Sequence, residues 1–185
     1  HGDFGPFHLW LSKKIDKPNL KGLNLRVAPV YTAFFKSLGA TVQNAAMPKI
    51  YTLMENNTVQ GYGWPAGAFV PPWVKVTKYQ VNPGFYTSPL QTLVNLKKWK
   101  SLSSAQQALI TKIGMEFEAA TEPGNAKLMA NLKSGLAKRA KAGMKIIEFT
   151  GADRKKWLDA ANNEAWKEVI QRSPKHGKNL EKLFR

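Results

Sequence analysis

Arg26 is a candidate for holding an anion. It stands near the end of a short alternating stretch, Leu23-Asn-Leu-Arg-Val, closed by Pro29, and a Gly/Trp/Pro-rich segment, Gly61-Tyr-Gly-Trp-Pro, follows some 35 residues later. A planar guanidinium takes a carboxylate in two parallel hydrogen bonds, and Trp64 offers such an anion an apolar wall. The competing roles are ordinary: an ion pair with an acidic neighbour for Arg26, core packing for Trp64. Catalytic groups are harder to find. His1, His8 and His176 lie far apart and match no metal-ligand spacing. No pair of carboxylates stands beside the glycines. Gly61-Tyr-Gly-Trp-Pro lacks both the third glycine of a dinucleotide fingerprint and the lysine of a phosphate-binding loop. The sequence has no cysteine, which removes thiol nucleophiles and thiolate metal sites. The residues point to recognition and not to an enzyme.

The elements that position Arg26 follow from periodicity. Phe7–Leu11 and Leu23–Val27 predict two short strands, with Asn24 and Arg26 on the face opposite the leucines. Tyr31–Leu38 has helical spacing and stops at Gly39. Thr41–Met47 predicts a third strand, and the segment from Pro48 to Val59 a helix with proline in its first turn. Strands alternating with helices indicate an α/β layer with parallel pairing. From Gly61 to Pro83 the glycines and prolines predict a structured loop or broken helix, and Tyr86–Asn95 a further strand. Ser103-Ser-Ala-Gln106 has the form of a capping box and opens a long helix. Its stripes are Ala105, Leu109, Ile113 and Phe117, then Leu128, Leu132, Leu136 and Ala140, with a kink expected at Pro123-Gly124. Met144–Phe149 predicts a last strand. Trp157, Ala161, Ala165 and Val169 mark a last helix before a Lys-rich tail.

Composition narrows the partners. The chain has 185 residues, 43% hydrophobic and 22% charged, enough apolar surface for an ordered core. No apolar run reaches the roughly 20 residues that span a bilayer. Lys and Arg outnumber Asp and Glu by 28 to 12, a net charge of +16, so anionic partners come first. The densest basic stretch, Lys133, Lys138, Arg139, Lys141 and Lys145, spreads over several helix faces and reads as a solvated surface. Nucleic-acid motifs are missing, so a basic module for nucleic acid or an anionic surface is the alternative reading and not the first.

The order of these segments resembles the extracytoplasmic solute-binding proteins of tripartite ATP-independent periplasmic (TRAP) transporters, the DctP-like family. Lys21-Gly-Leu-Asn-Leu-Arg-Val is similar to the family's KGLKxRVP stretch, Met47-Pro-Lys-Ile-Tyr-Thr-Leu-Met to its F-x-E-V-Y-x-A-L, and Val59-Gln-Gly-Tyr-Gly-Trp-Pro to its V-D-G-Q-E-N-P. The resemblance continues through Leu93-Val-Asn, the Leu102-Ser-Ser-Ala-Gln-Gln helix start and Gly143-Met-Lys-Ile. It implies a two-lobed α/β fold of the type II periplasmic-binding-protein kind, here lacking most of the N-terminal lobe. Residues 1–87 and 129–185 would form lobe two, and 88–128 would return to lobe one. It implies a periplasmic protein that binds a small organic acid between its lobes and hands it to a membrane permease. By position, Arg26 would pair with the substrate carboxylate, Met47 would line the apolar pocket wall, and Trp64 would contact the ligand. The chain also departs from the family. Gly63 and Thr87 stand near positions where carboxylates occur, so no bound cation and no cofactor is expected, and Gln60 and Lys49 replace Asp and Glu.

Overall fold

The computed structural model describes residues 4–88 and 91–185, with residues 122–126 described in backbone only. Six strands form one sheet: β1 (Phe7–Leu11), β2 (Asn24–Val27), β3 (Thr41–Asn44), β4 (Gly61–Pro65), β5 (Tyr79–Tyr86) and β6 (Lys145–Glu148). Their order is β3-β2-β4-β1-β5-β6. The helices are α1 (Thr32–Ser37), α2 (Ile50–Glu55), α3 (Leu96–Lys100), α4 (Ser104–Lys141), α5 (Gly151–Arg172) and α6 (Gly177–Phe184). Parallel pairing joins β2 to β3, β2 to β4 and β5 to β6, as the α/β alternation predicts. β1 is the exception, running antiparallel to both of its neighbours, β4 and β5.

Each sheet face carries its own core, and the two-residue period of β1 feeds both. Leu9 and Leu11 face a layer with Leu25, Phe35, Val81 and Trp157, closed by α1 and α5. Trp10 faces a second layer with Ile50, Val59, Tyr62, Trp73 and Met144. Fully burying such a side chain contributes about 1.5–3 kcal/mol. Trp157 also ties α5 to β5, its indole N–H donating to the Pro83 carbonyl at 3.0 Å.

Two expected elements are corrected. Gly61–Pro65 is not a loop but a strand at the middle of the sheet, between β2 and β1. Its glycines serve close packing: a Cβ on Gly61 would stand 2.5 Å from the Trp10 carbonyl oxygen, and one on Gly63 would stand 2.7 Å from the Tyr31 ring. The strand expected at Tyr86–Asn95 instead ends at Tyr86, having begun at Tyr79. Val81 and Phe85 are its buried residues on the α1 and α5 side, while residues 91–95 have no regular structure and Leu93 is exposed. Pro89 and Leu90 of that expected strand lie outside the described residues.

The Ser103 capping box forms as expected, with Gln106 N–H on the Ser103 hydroxyl and the Gln106 side chain on the Ser103 N–H. The expected kink at Pro123-Gly124 falls on residues whose side chains are outside the described ones. The stripe of α4 toward its C-terminus meets the sheet domain: a Cβ on Gly67 would contact Leu128, and one on Gly5 would contact Leu132. Its N-terminal stripe does not, since Leu109, Ile113 and Phe117 are exposed. The Lys-rich tail contains α6, which periodicity does not announce.

Candidate functional site

Arg26 reaches its position because β2 is short and alternates. Leu25 and Val27 enter the core shared with α1 and α5, which turns Arg26 toward the other face. Parallel pairing sets Arg26 beside Tyr62 of β4, two residues before Trp64. The Arg26 guanidinium carbon lies 5.7 Å from the centre of the Trp64 ring, within cation–π range. Nε of Arg26 donates to the Ala45 carbonyl at 2.7 Å, and Nη1 donates to the Tyr31 hydroxyl oxygen at 3.3 Å. The Tyr31 hydroxyl in turn donates to the Gly63 carbonyl at 2.7 Å. The Trp64 ring is held as well, its Nε1 donating to the Ala68 carbonyl at 2.7 Å.

These contacts hold Arg26 away from solvent. The residue is only 4% exposed, and among the described residues it forms no ion pair. Burial lowers its basicity, and the neighbouring Tyr31 partly restores it. A guanidinium nonetheless stays protonated. The result is a buried cation held by neutral oxygens, with one aromatic face alongside, which is chemistry suited to a carboxylate. Burial likewise raises the Tyr31 phenol, so it remains a neutral donor and acceptor.

Met47 begins a short 3-10 turn, Met47–Lys49, on the segment that also supplies the Ala45 carbonyl. It is 40% exposed and belongs to neither core. The structure therefore brings Arg26 and Trp64 together and leaves Met47 at the edge of the same segment. Gln60, which stands where the family pattern has Asp, serves the local backbone. Its Oε1 accepts the Asn24 N–H at 2.9 Å and its Nε2 donates to the Asn57 carbonyl at 3.0 Å. A cavity of about 230 Å³ lies beside Tyr31, lined by Phe34, Phe85, Tyr86, Glu164 and Glu168 among others, and excludes Arg26, Trp64 and Met47.

Three polar residues have roles that sequence reasoning misses or leaves open. By spacing Tyr31 is an apolar helix position, yet its hydroxyl links Arg26 to β4. No local signal announces it, since Gly63, which makes room for the ring, lies 32 residues away. His8 proves to be a core histidine, 6% exposed, with Nδ1–H donating to the Val81 carbonyl at 2.9 Å. Arg139, expected on a solvated basic surface, is 8% exposed and lies 5.2 Å from the ring centres of both Trp10 and Phe69. The correction has a physical reason: a long basic side chain in the last turn of α4 covers aromatic surface with its planar head. Among the described residues, no group of three or more His, Asp or Glu is placed to hold a metal ion.

Known proteins share this architecture over nearly the whole chain. The model for bacterial extracellular solute-binding protein family 7, DctP, matches residues 10–173. A TRAP periplasmic solute-binding protein from Desulfovibrio salexigens with bound orotic acid superposes with a TM-score of 0.78 at 24% identity, covering 98% of this chain and 58% of that one. The corresponding protein from Roseobacter denitrificans with bound L-galactonate gives 0.72 at 21% identity, covering 99% and 59%. One from Rhodoferax ferrireducens with bound malonate gives 0.69 at 21% identity, covering 89% and 54%. The chain thus spans less than three fifths of the length of these relatives.

Proposed function

The chain belongs to bacterial extracellular solute-binding protein family 7, and from that premise we propose that it binds a small organic acid through Arg26, with Trp64 as the wall of the site and Met47 at its rim. The observation that carries the reading is a nearly buried arginine whose partners among the described residues are neutral oxygens and an aromatic ring. A bidentate carboxylate in a water-free site gains a few kcal/mol, roughly, whereas the same pair on an open surface gains about 0–1 kcal/mol. Closure of a second lobe over the anion makes the contact selective, and it favours the closed state only through contacts that the open state lacks. We assign residues 1–87 and 129–185 to one lobe and 88–128 to the crossing into the other, a division supported by the exposed apolar residues Leu109, Ile113 and Phe117. The protein then works in the periplasm as a carrier for a TRAP-type permease, without catalysis.

The test is a thermal-shift screen with malonate, orotate and L-galactonate on the wild type and on Arg26→Ala. A carboxylate that raises the wild-type melting temperature should lose that effect in the variant. Equal shifts in both proteins remove Arg26 from the site.

A further inference from the structure

A second buried arginine has no counter-charge among the described residues, and it lines a cavity. Arg139 is 8% exposed, and its Nε is buried without a hydrogen-bond partner among the described residues. Among the described residues it forms no ion pair. Its two aromatic neighbours, Trp10 and Phe69, supply cation–π attraction but no acceptor. A buried donor left unmade is costly, and a buried cation without an anion more so. Arg139 also forms part of the wall of a cavity of about 250 Å³, with Phe69, Pro71, Val74, Gly135 and Lys138. That volume suits a compact organic molecule, the walls are mostly apolar, and Lys138 adds a second positive charge at the mouth. Gly135, one helical turn before Arg139 and on the same wall, leaves room for the guanidinium: a Cβ there would stand 3.1 Å from Nη1 of Arg139.

We propose that this cleft is a second carboxylate site, separate from Arg26, in which Arg139 pairs with the acid group of a small anion and Phe69, Pro71 and Val74 receive its apolar body. The chemistry selects a monocarboxylate with a flat or branched hydrocarbon part over a sugar acid, because the walls offer few groups for hydroxyls. Lys138 contributes attraction from solvent and not a fixed contact.

Benzoate is the probe, titrated by calorimetry into the Arg26→Ala protein, so that the first site is silent. Binding in the millimolar range or tighter is expected, weakened at least tenfold by adding Arg139→Gln or Gly135→Leu. Gly135→Leu fills the cleft with a residue that favours helix, so it decides the matter if Arg139→Gln does not fold by circular dichroism. Absence of benzoate binding in the Arg26→Ala protein overturns the proposal, as does undiminished binding in the folded Gly135→Leu variant.

Discussion

At the scale of single residues, the site depends on a phenol that spacing assigns to an ordinary core position. Tyr31 donates to the Gly63 carbonyl and accepts from Arg26, so Tyr31→Phe keeps the ring packing and removes only the link. The expected cost is about 1–2 kcal/mol of stability, read from urea unfolding, together with weaker carboxylate binding. An unchanged affinity would mean that the hydroxyl does not help to aim the guanidinium. His8 supplies a pH dependence. Burial lowers its pKa; the bond to the Val81 carbonyl and Glu148 pull it back up, while Arg139 pushes it further down. With the folded value below the unfolded one, the unfolded chain binds the extra proton first. Stability is therefore full above about pH 6.5 and falls as the pH drops below it toward the folded value. Melting temperatures measured between pH 7.5 and 5.5 should fall less in His8→Gln than in the wild type; parallel curves would contradict this.

At the scale of elements, the glycines of β4 show why part of the fold is hidden from sequence reasoning. Spacing alone marks β1, β2, α1 and α5 closely, and Ser103-Ser-Ala-Gln106 announces the start of α4, because caps and periodicity are local signals. β4 is hidden because glycine has two uses, turning the chain and letting neighbours approach, and only the partners distinguish them. Trp10 and Tyr31 are those partners, and they lie 51 and 32 residues away from Gly61 and Gly63 in the sequence. β5 is disguised by Pro83, which sits where the pairing register of β1 shifts between Phe7 and Leu9. The place of Arg26 at a strand end is legible, but its neutral partners, the Ala45 carbonyl and the Tyr31 hydroxyl, are contacts that spacing does not encode. Gly63→Ala tests the packing role: a methyl 2.7 Å from a buried ring costs about 1–3 kcal/mol and should loosen the Arg26 link with it. A neutral substitution in chemical unfolding would return β4 to a permissive segment.

At the scale of the whole molecule, a net charge of +16 and the buried cation Arg26 predict different responses to salt. Surface charge attracts any polyanion and is screened beyond about 10 Å at 0.1 M salt, whereas a buried pair is screened far less. Retention of duplex DNA should fall steeply between about 50 and 200 mM salt, while carboxylate affinity at Arg26 changes little. Tight DNA binding that survives the higher salt, measured by fluorescence anisotropy, would favour the basic-module reading instead. The exposed apolar residues of α4, Leu109, Ile113 and Phe117, belong to the same scale, since they face away from both cores described for this chain.

Trp10 links the Trp64 backbone to Arg139. Its indole N–H donates to the Trp64 carbonyl at 2.8 Å, while its ring centre lies 5.2 Å from the Arg139 guanidinium carbon. One indole thus joins the strand that carries Trp64 to the C-terminal turn of α4, and Trp10→Phe would cut that tie while keeping a ring beside Arg139.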